Sequence, residues 1–460
     1  MYKKKTHIHF MGIGGIGMSG LAEILKLQGY NISGCDKDTN SSIIEHLKSI
    51  GCSIYQNHNT EHITNADVLV CTTAINKSNE EVNTALQKNI PVVHRSLILA
   101  ELMRTKYSIA VSGAHGKTTT TSMISHILLE SNIDPTIIVG GILKTISKNA
   151  HFGKSDFLVA EADESDRSFL NLYPTLAVIT NIDKEHLETY KDLEDIKQTF
   201  IKFLNKLPFF GKAFLCIDNE NVKSLLPIKN INAITYGFTQ DANIMGEIIE
   251  TTANGSTFNI YFNKNFIGQM NLNIAGRHNV LNALASIGIA LELDIPLKKI
   301  QDALKTFKGV VRRFEFKGTY NKAEIFDDYG HHPTEINSTL LVAQKKAKND
   351  LHVIFQPHRY TRTQKLWSDF VQIFIDNKNI KTLYVTDIYP ASETPIDGIT
   401  SKKLAQDIQN MCPNLKVIYY PTYNEITQDV KNILQPNDLL LTIGAGKVNE
   451  IAEELAALKS

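Results

Sequence analysis

Two glycine-rich turns, each followed by groups able to handle phosphate, carry the densest chemistry in the sequence. GAHGKTTTT spans 113–121 and MGIGGIGMSG spans 11–20. In the former, Gly116-Lys117-Thr118 has the ending of a P-loop. Its lysine would reach the β- and γ-phosphates of ATP, and the Thr118 hydroxyl would ligate Mg2+. Gly113 stands only three residues before Gly116. The loop is therefore shorter than the common G-x-x-x-x-G-K-[ST], whose opening position falls at Val111. The apolar YSIAV before it and the threonine-rich helix start after it supply the strand–turn–helix setting. The expected ATP cradle is Gly113, Ala114, His115, Gly116, Lys117, Thr118 and Thr119.

Mg2+ needs a few well-placed hard oxygen ligands. The apolar run FLVA leads straight into Glu161, the place of a Walker-B acid, with Asp163, Glu164 and Asp166 behind it. Such a cluster otherwise reads as a solvated loop. His186, in NIDKEHLETY, follows a second buried run, although a lone histidine is more often surface or satisfied core. Thr118, Glu161 and His186 form the candidate metal set.

In the earlier turn, Gly12, Gly14 and Gly17 fit G-x-G-x-x-G, and Asp36 ends the next strand about twenty residues on. Glycines let backbone approach a pyrophosphate, and a helix N-terminus offers free N–H groups and positive potential. NAD is the obvious ligand, but any nucleotide diphosphate satisfies the same physics. Two cradles imply two phosphorylated ligands, one consumed and one held. That pairing suggests a ligase that activates a carboxylate with the γ-phosphate and then admits an amine.

The elements that must hold these residues alternate. THIHFMGIGG, NISGCD, ADVLVCTTAI and IPVVHR read as strands, and MSGLAEILKLQGY as a helix stopped by Gly29. YSIAV, DFLVAEADESD and TLAVITNID read as buried strands with polar C-terminal ends, the edge where open parallel sheets bind ligands. A helix is expected from about 278 to 293. Beyond Val310, AEIFDDYGHHPTE, LHVIFQPHRYTRTQ, TLYVTDIYPASE, VIYYP and DLLLTIGAGKVNEIAEEL alternate again. The expected fold is α/β with three domains: Rossmann-like 1–107, P-loop mononucleotide-binding 108–310, and a C-terminal Rossmann-like 311–460.

The 460 residues are too many for one core. Apolar content of 43% with 21% charged residues is that of a globular protein. Zero net charge gives no global field for nucleic acid or an anionic membrane. The five cysteines are scattered without a C-x-x-C, as in a reduced cytoplasmic protein. No apolar run approaches the roughly 18 residues of a membrane span.

Taken together, GIGGIGMSGLAEIL, GAHGKTTTT, EADESDRSFL, NIDKEHLETY, GRHNVLNALA, RRFE, DDYGHHPTEI, FQPHRYTRT, DIYPASETP and GAG occur in an order and spacing that resemble the Mur ligase family, across essentially the whole chain. The resemblance implies an ATP-dependent, Mg2+-requiring ligase of peptidoglycan precursor synthesis. It would join L-alanine to the lactyl carboxylate of UDP-N-acetylmuramate through an acyl-phosphate, and would act as a monomer or weak homodimer. It implies that Gly12, Gly14, Gly15 and Gly17, with Asp36, Thr72 and Thr73 nearby, hold the UDP-sugar. Lys117 and Thr118 serve ATP, Glu161 and His186 the metal, and Asn279 and Asn282 the adenine. Tyr329, His331, His358, Arg359 and Arg362 approach the amino acid and the transferring phosphate. Within that set, His331 is expected to sit near neutral pKa and accept a proton, and Arg359 with Arg362 to grip the alanine carboxylate. A carbamoylated lysine, present in several members, is not carried over; Lys202 is its only candidate here. Two alternatives are a recycling ligase that attaches a tripeptide to the same sugar nucleotide and an NAD-dependent dehydrogenase. The latter leaves the P-loop and its acids without a task.

Overall fold

The computed structural model describes residues 6–72, 75, 78–186 and 188–458; Thr73 lies outside them. The fold is α/β in three domains, each built on its own sheet. The first sheet runs Ser53–Gln56, Asn31–Asp36, His7–Met11, Val68–Cys71, Val92–His94, all parallel. The buried strand His7–Met11 turns at Gly12, whose φ of 71° lies in the left-handed region, and enters the helix Ile16–Leu27. The turn is pressed onto the neighbouring strand. A Cβ at Gly34 would come within 2.6 Å of the Ile13 side chain and of the Phe10 carbonyl, so only glycine fits there.

The second sheet has ten strands. Its centre is Tyr107–Ser112, flanked by the parallel strands Leu176–Ile179 and Phe157–Glu161. The helix Lys117–Glu130 follows the central strand directly, capped by Gly116 at φ 83°. The helix expected near 278–293 is observed at Arg277–Glu292. Below the sheet, the side chains of Phe169, Phe200 and Phe203 form a buried aromatic cluster, with Phe169 and Phe203 stacked at 4.8 Å between centroids.

The third sheet runs Glu315–Tyr320, Ala323–Asp328, Leu439–Ile443, Leu351–Phe355, Thr382–Val385, Lys416–Tyr419; all neighbours are parallel except the first pair. The unbroken apolar runs in LHVIF and LLLTI follow from burial on both faces. Leu351, Val353, Phe355, Leu439, Leu441 and Ile443 enter one core, while Ile354 and Leu440 enter the other. His332 and Glu335 form a reciprocal capping box that starts the helix Pro333–Lys346.

Two compact units result. One comprises Met1–Ile249, Thr257–Leu272 and Asn279–Lys308, with the first two sheets; the other comprises Glu250–Ser256, Asn273–His278 and Gly309–Ser460. No helix among the described residues is long and apolar enough to cross a membrane.

Phe203 is fully buried within the aromatic cluster. Phe203→Ala is expected to destabilise the first unit by about 3–5 kcal/mol, seen as a lowered urea midpoint, with the second unit's transition unmoved.

Candidate active site

The P-loop is shaped by contacts that glycine alone permits. A Cβ at Gly113, where φ is 133°, would collide with the Thr180 hydroxyl, and one at Gly116 would lie 2.6 Å from Asn282 Oδ1. The loop is pinned from the adjacent strand end. The His115 N–H donates to Asn181 Oδ1 at 2.8 Å, and Thr180 Oγ1 and Asn181 Nδ2 donate to the His115 carbonyl. Asn282 therefore lies against the loop and donates to Asn279 Oδ1 at 3.3 Å, which brings both residues expected at the adenine beside the cradle.

Lys117 Nζ donates to the carbonyls of Gly113 at 2.6 Å and Ala114 at 3.2 Å, and to Glu164 Oε1 at 2.8 Å. Burial opposes its charge, but Glu164 and Asp163 outweigh that and raise the lysine pKa above its usual value. Burial pushes the Glu164 carboxyl up, against the pull of Lys117. Glu164 Oε2 is buried without a hydrogen-bond partner among the described residues. Glu164, Glu185 and His186 bring one ligand atom each to within 4.8 Å of one another. His186 sits at φ 54° with Nε2 3.8 Å from Glu164 Oε1 and 3.6 Å from Glu185 Oε2. Burial works against its charge, yet Glu188, Glu164 and Glu185 raise its pKa overall. Glu161, expected as the metal acid from its strand-end position, accepts the Gly140 N–H at 2.8 Å through Oε1. Glu164 and Glu185 are not among the residues expected at the metal; the signal for them is their place beside Glu161 and His186 in the same two motifs. Lys202 is exposed in the last turn of the helix Leu193–Leu204 and joins none of this.

The first glycine turn lies in the same unit. Gly14 N–H donates to Asp36 Oδ2 at 2.8 Å, so the strand-end aspartate fixes the turn. Gly15 caps the helix without a side-chain bond. Arg95, which sequence reasoning did not single out, closes on Gly17, where any Cβ would clash with its guanidinium. Arg95 Nη2 also donates to Asp163 Oδ2 at 2.9 Å. Although burial opposes it, Lys117 and Arg95 hold Asp163 below the usual carboxylate range. One arginine and one aspartate thus connect the two cradles. Thr72 follows the strand Val68–Cys71 at the same edge of the sheet.

In the second unit, Arg312 donates to Asp327 Oδ2 at 2.9 Å and to the Gly446 and Gly444 carbonyls. The Tyr329 ring lies 5.0 Å from the Arg312 guanidinium and 5.6 Å from that of Arg313. Burial pushes the Asp328 carboxyl up to about 6, although it accepts the Gly330 and Phe314 N–H groups. The His331 and His358 rings stand 5.7 Å apart, and His358 stacks on Tyr389. Two expectations need correction. His331 is not near neutral: burial, reinforced by Arg362 and His358, lowers it to about 3 despite Glu335. Arg359 and Arg362 do not form a common fork. Arg359 is held at φ 71° with Nε donating to Glu393 Oε1 at 2.6 Å, whereas Arg362 Nη1 lies 3.1 Å from His358 Nδ1. Glu393 also accepts from the Thr361 N–H and hydroxyl. His278 stands near Arg313 and Glu335, and its pKa is lowered to about 4, by desolvation first and then by Arg313.

A triphosphate cradle and a diphosphate cradle in one unit, with a third α/β layer bearing histidines and arginines, define an ATP-dependent ligase architecture. The chain belongs to the Mur ligase family. Its residues 7–107 match the model described as Mur ligase family, catalytic domain, residues 111–290 the Mur ligase middle domain, and residues 312–446 the Mur ligase, glutamate ligase domain. Among its relatives is a protein of Syntrophus aciditrophicus named UDP-N-acetylmuramate–L-alanine ligase, 46% identical over 99% of this chain and 94% of that one. A protein of the same name from Geotalea uraniireducens is 46% identical over 99% and 98%. The fold matches a UDP-N-acetylmuramate-alanine ligase of Thermotoga maritima with TM-score 0.83, 26% identity and 98% of each chain covered. It also matches a murein peptide ligase of Psychrobacter arcticus with TM-score 0.73 over 99% and 100%, at 23% identity, which is likeness of fold alone.

Because the folded chain keeps His331 neutral to about pH 3 while the unfolded chain protonates it near pH 6.5, its contribution to stability is complete above that value and is lost as pH falls. Urea unfolding at pH 5 against pH 7 is expected to cost the wild type up to about 2 kcal/mol more than His331→Gln.

Proposed function

We propose that this chain is an ATP-dependent ligase joining L-alanine to the lactyl carboxylate of UDP-N-acetylmuramate, in the cytoplasmic synthesis of peptidoglycan precursors. The observation that carries the reading is Lys117, held cationic at the P-loop beside Glu164, in the same unit as a second glycine turn bearing its own arginine. The full-length relatives of that name support it. In this reading 1–107 receives the UDP-sugar, 108–310 the ATP and 311–460 the amino acid.

The muramate carboxylate attacks the γ-phosphorus, ADP leaves, and the alanine amine displaces phosphate from the acyl-phosphate. Two anions must meet, so fixed positive charge is the main requirement. Lys117 supplies it at the γ-phosphate, and Arg95 supplies it at the sugar diphosphate over Gly12, Gly14, Gly15 and Gly17. Asp36 keeps that turn in shape through Gly14, and Asn279 and Asn282 face the base from beside Gly116. The donor set fits a hard divalent cation: Glu164 has a buried oxygen without a partner among the described residues, Glu185 and His186 bring ligand atoms to within 4.8 Å of its carboxylate, and Thr118 stands in the first turn of the helix. Mg2+ held by Thr118, Glu161 and His186, with Glu164 and Glu185 beside them, would neutralise phosphate charge; accepting one N–H from Gly140 leaves further lone pairs on the Glu161 carboxylate for a cation. In the third domain Arg362 receives the alanine carboxylate, and neutral His331, beside Tyr329 and His358, accepts a hydrogen bond from the amine. Arg359, tied to Glu393, is a positioning residue for the turn that presents Arg362.

Phosphate release with UDP-N-acetylmuramate, while amino acids and an alanine-headed tripeptide are offered in turn, tests the reading; dependence on the tripeptide instead of free L-alanine would favour the recycling ligase. Lys117→Ala is expected to abolish amide formation while UDP-N-acetylmuramate binding, followed by calorimetry, stays within a few-fold; equal loss of both would contradict two separate cradles. Arg362→Ala is expected to raise the KM for alanine about 10–100-fold, the worth of one charged hydrogen-bond pair, with the KM for ATP little changed. A larger effect on ATP would remove Arg362 from the carboxylate.

A further inference from the structure

The first domain contains a second cluster of metal-binding side chains, remote in sequence from the P-loop. It gathers on the face of the first sheet whose apolar core is small: Met11, Cys35, Ile63, Ala66, Leu69, Val82 and Ala85. Glu81, fully buried near the start of the helix Glu80–Gln87, is its centre. His58 Nδ1 lies 2.8 Å from Glu81 Oε2, Cys35 Sγ lies 3.4 Å from the same oxygen, and Cys35 Sγ lies 3.2 Å from His58 Nδ1. On the other oxygen, His62 Nδ1 is at 3.2 Å and the Asn59 N–H donates at 3.0 Å. His9 Nε2 approaches Oε1 to 3.9 Å. His9, Cys35 and Glu81 are all buried, with ligand atoms within 4.8 Å of one another.

His9 supplies the independent observation. Its residue is 0% exposed and its Nε2 has no hydrogen-bond partner among the described residues. Nδ1 is engaged, 2.7 Å from Ser33 Oγ, which is itself 2.7 Å from His7 Nε2. The ring is thereby oriented with Nε2 facing Glu81, the arrangement in which an outer hydrogen bond fixes a metal-bound imidazole. With the proton on Nδ1, a bare lone pair faces a carboxylate in a dry interior; with the proton on Nε2, a buried donor goes unused. A cation between them resolves both.

We propose that His9 Nε2, Cys35 Sγ, His58 Nδ1 and Glu81 form a binding site for a zinc-class divalent cation that staples the first domain. One sulfur, two imidazoles and one carboxylate suit zinc and discriminate against Mg2+. Ligands at 2.0–2.3 Å around a tetrahedral ion are separated by roughly 3.3–3.7 Å; the separations of Glu81 from His58, Cys35 from His58, Cys35 from Glu81 and His9 from Glu81 are 2.8, 3.2, 3.4 and 3.9 Å, and His58, outside the tight group of His9, Cys35 and Glu81, must swing toward His9 to complete the set. The half-exposed His58 is the entry side. On binding, the Cys35 thiol gives up its proton to solvent and the thiolate ligates the ion. The ligands come from two strands, the turn after the third strand, and a helix. Cys35 also accepts the Gly12 and Ile13 N–H groups through its carbonyl, so the ion would stiffen the glycine turn.

The test uses full-length protein freed of metal with chelator, then titrated with Co2+ and displaced with Zn2+. Expected are one equivalent showing a thiolate-to-cobalt charge-transfer band with four-coordinate visible bands, Mg2+ failing to displace it, and a higher melting temperature with zinc. Cys35→Ser should abolish the charge-transfer band, His9→Gln should weaken binding by more than the roughly 10–100-fold that loss of an outer-shell partner costs, and His186→Gln should leave the band intact. Absence of the band in the wild type, or its survival in Cys35→Ser, overturns the proposal; should Cys35→Ser fail to fold, unchanged cobalt affinity in His9→Gln overturns it.

Discussion

A lysine ammonium enclosed at the mouth of a helix governs the first unit. Removing such a charge from water costs several kcal/mol unless partners surround it, and Lys117 has them in two loop carbonyls and Glu164. That need dictates much of the neighbourhood. The loop must fold back so that its carbonyls face the ammonium, which places Gly113 and Gly116 at positive φ. Glu164 must be buried, which leaves one of its oxygens without a partner among the described residues and pushes its pKa up. Tyr190 supports it from behind by donating to the Glu164 carbonyl. The arrangement is well suited to exchange, because an arriving phosphate offers Lys117 a stronger anion and frees the carboxylate for a cation.

The backbone of this design was readable in the residues. Glycines needed for close approach, acids at strand ends and apolar runs of strand length all point to parallel sheets with ligands at one edge. Three kinds of feature were not. The full set of neighbouring carboxylates was hidden: the strand-end rule selects Glu161, and the structure adds Glu164, three residues on, whose carboxylate gathers with Glu185 and His186. Pairings across long separations were hidden as well. Nothing in IPVVHR announces that Arg95 reaches Gly17 and Asp163, and nothing in HRYTR announces that Glu393 takes Arg359. Environment was the third. A histidine's residue type suggests a proton carrier near neutrality, whereas enclosure beside Arg362 and His358 takes His331 far from it.

The histidines show how one residue type divides by surroundings. His186 is surrounded by carboxylates and is raised; His331, His358 and His278 are desolvated beside arginines and lowered. The former favours positive charge beside acids, the latter neutral rings beside fixed cations. Each domain thereby assembles a distinct electrostatic character from the same side chain.

Arg95 has a further consequence. Its guanidinium lies over Gly17 on one side and pairs with Asp163 on the other, and Asp163 in turn lies in the field of Lys117. An anion settling over the early turn draws on that guanidinium, and Asp163 then leans more heavily on Lys117. In the proposed reading, occupancy at one cradle would be felt at the other with no moving hinge, and by reciprocity equally in both directions, so the two affinities would be tied through a single side chain.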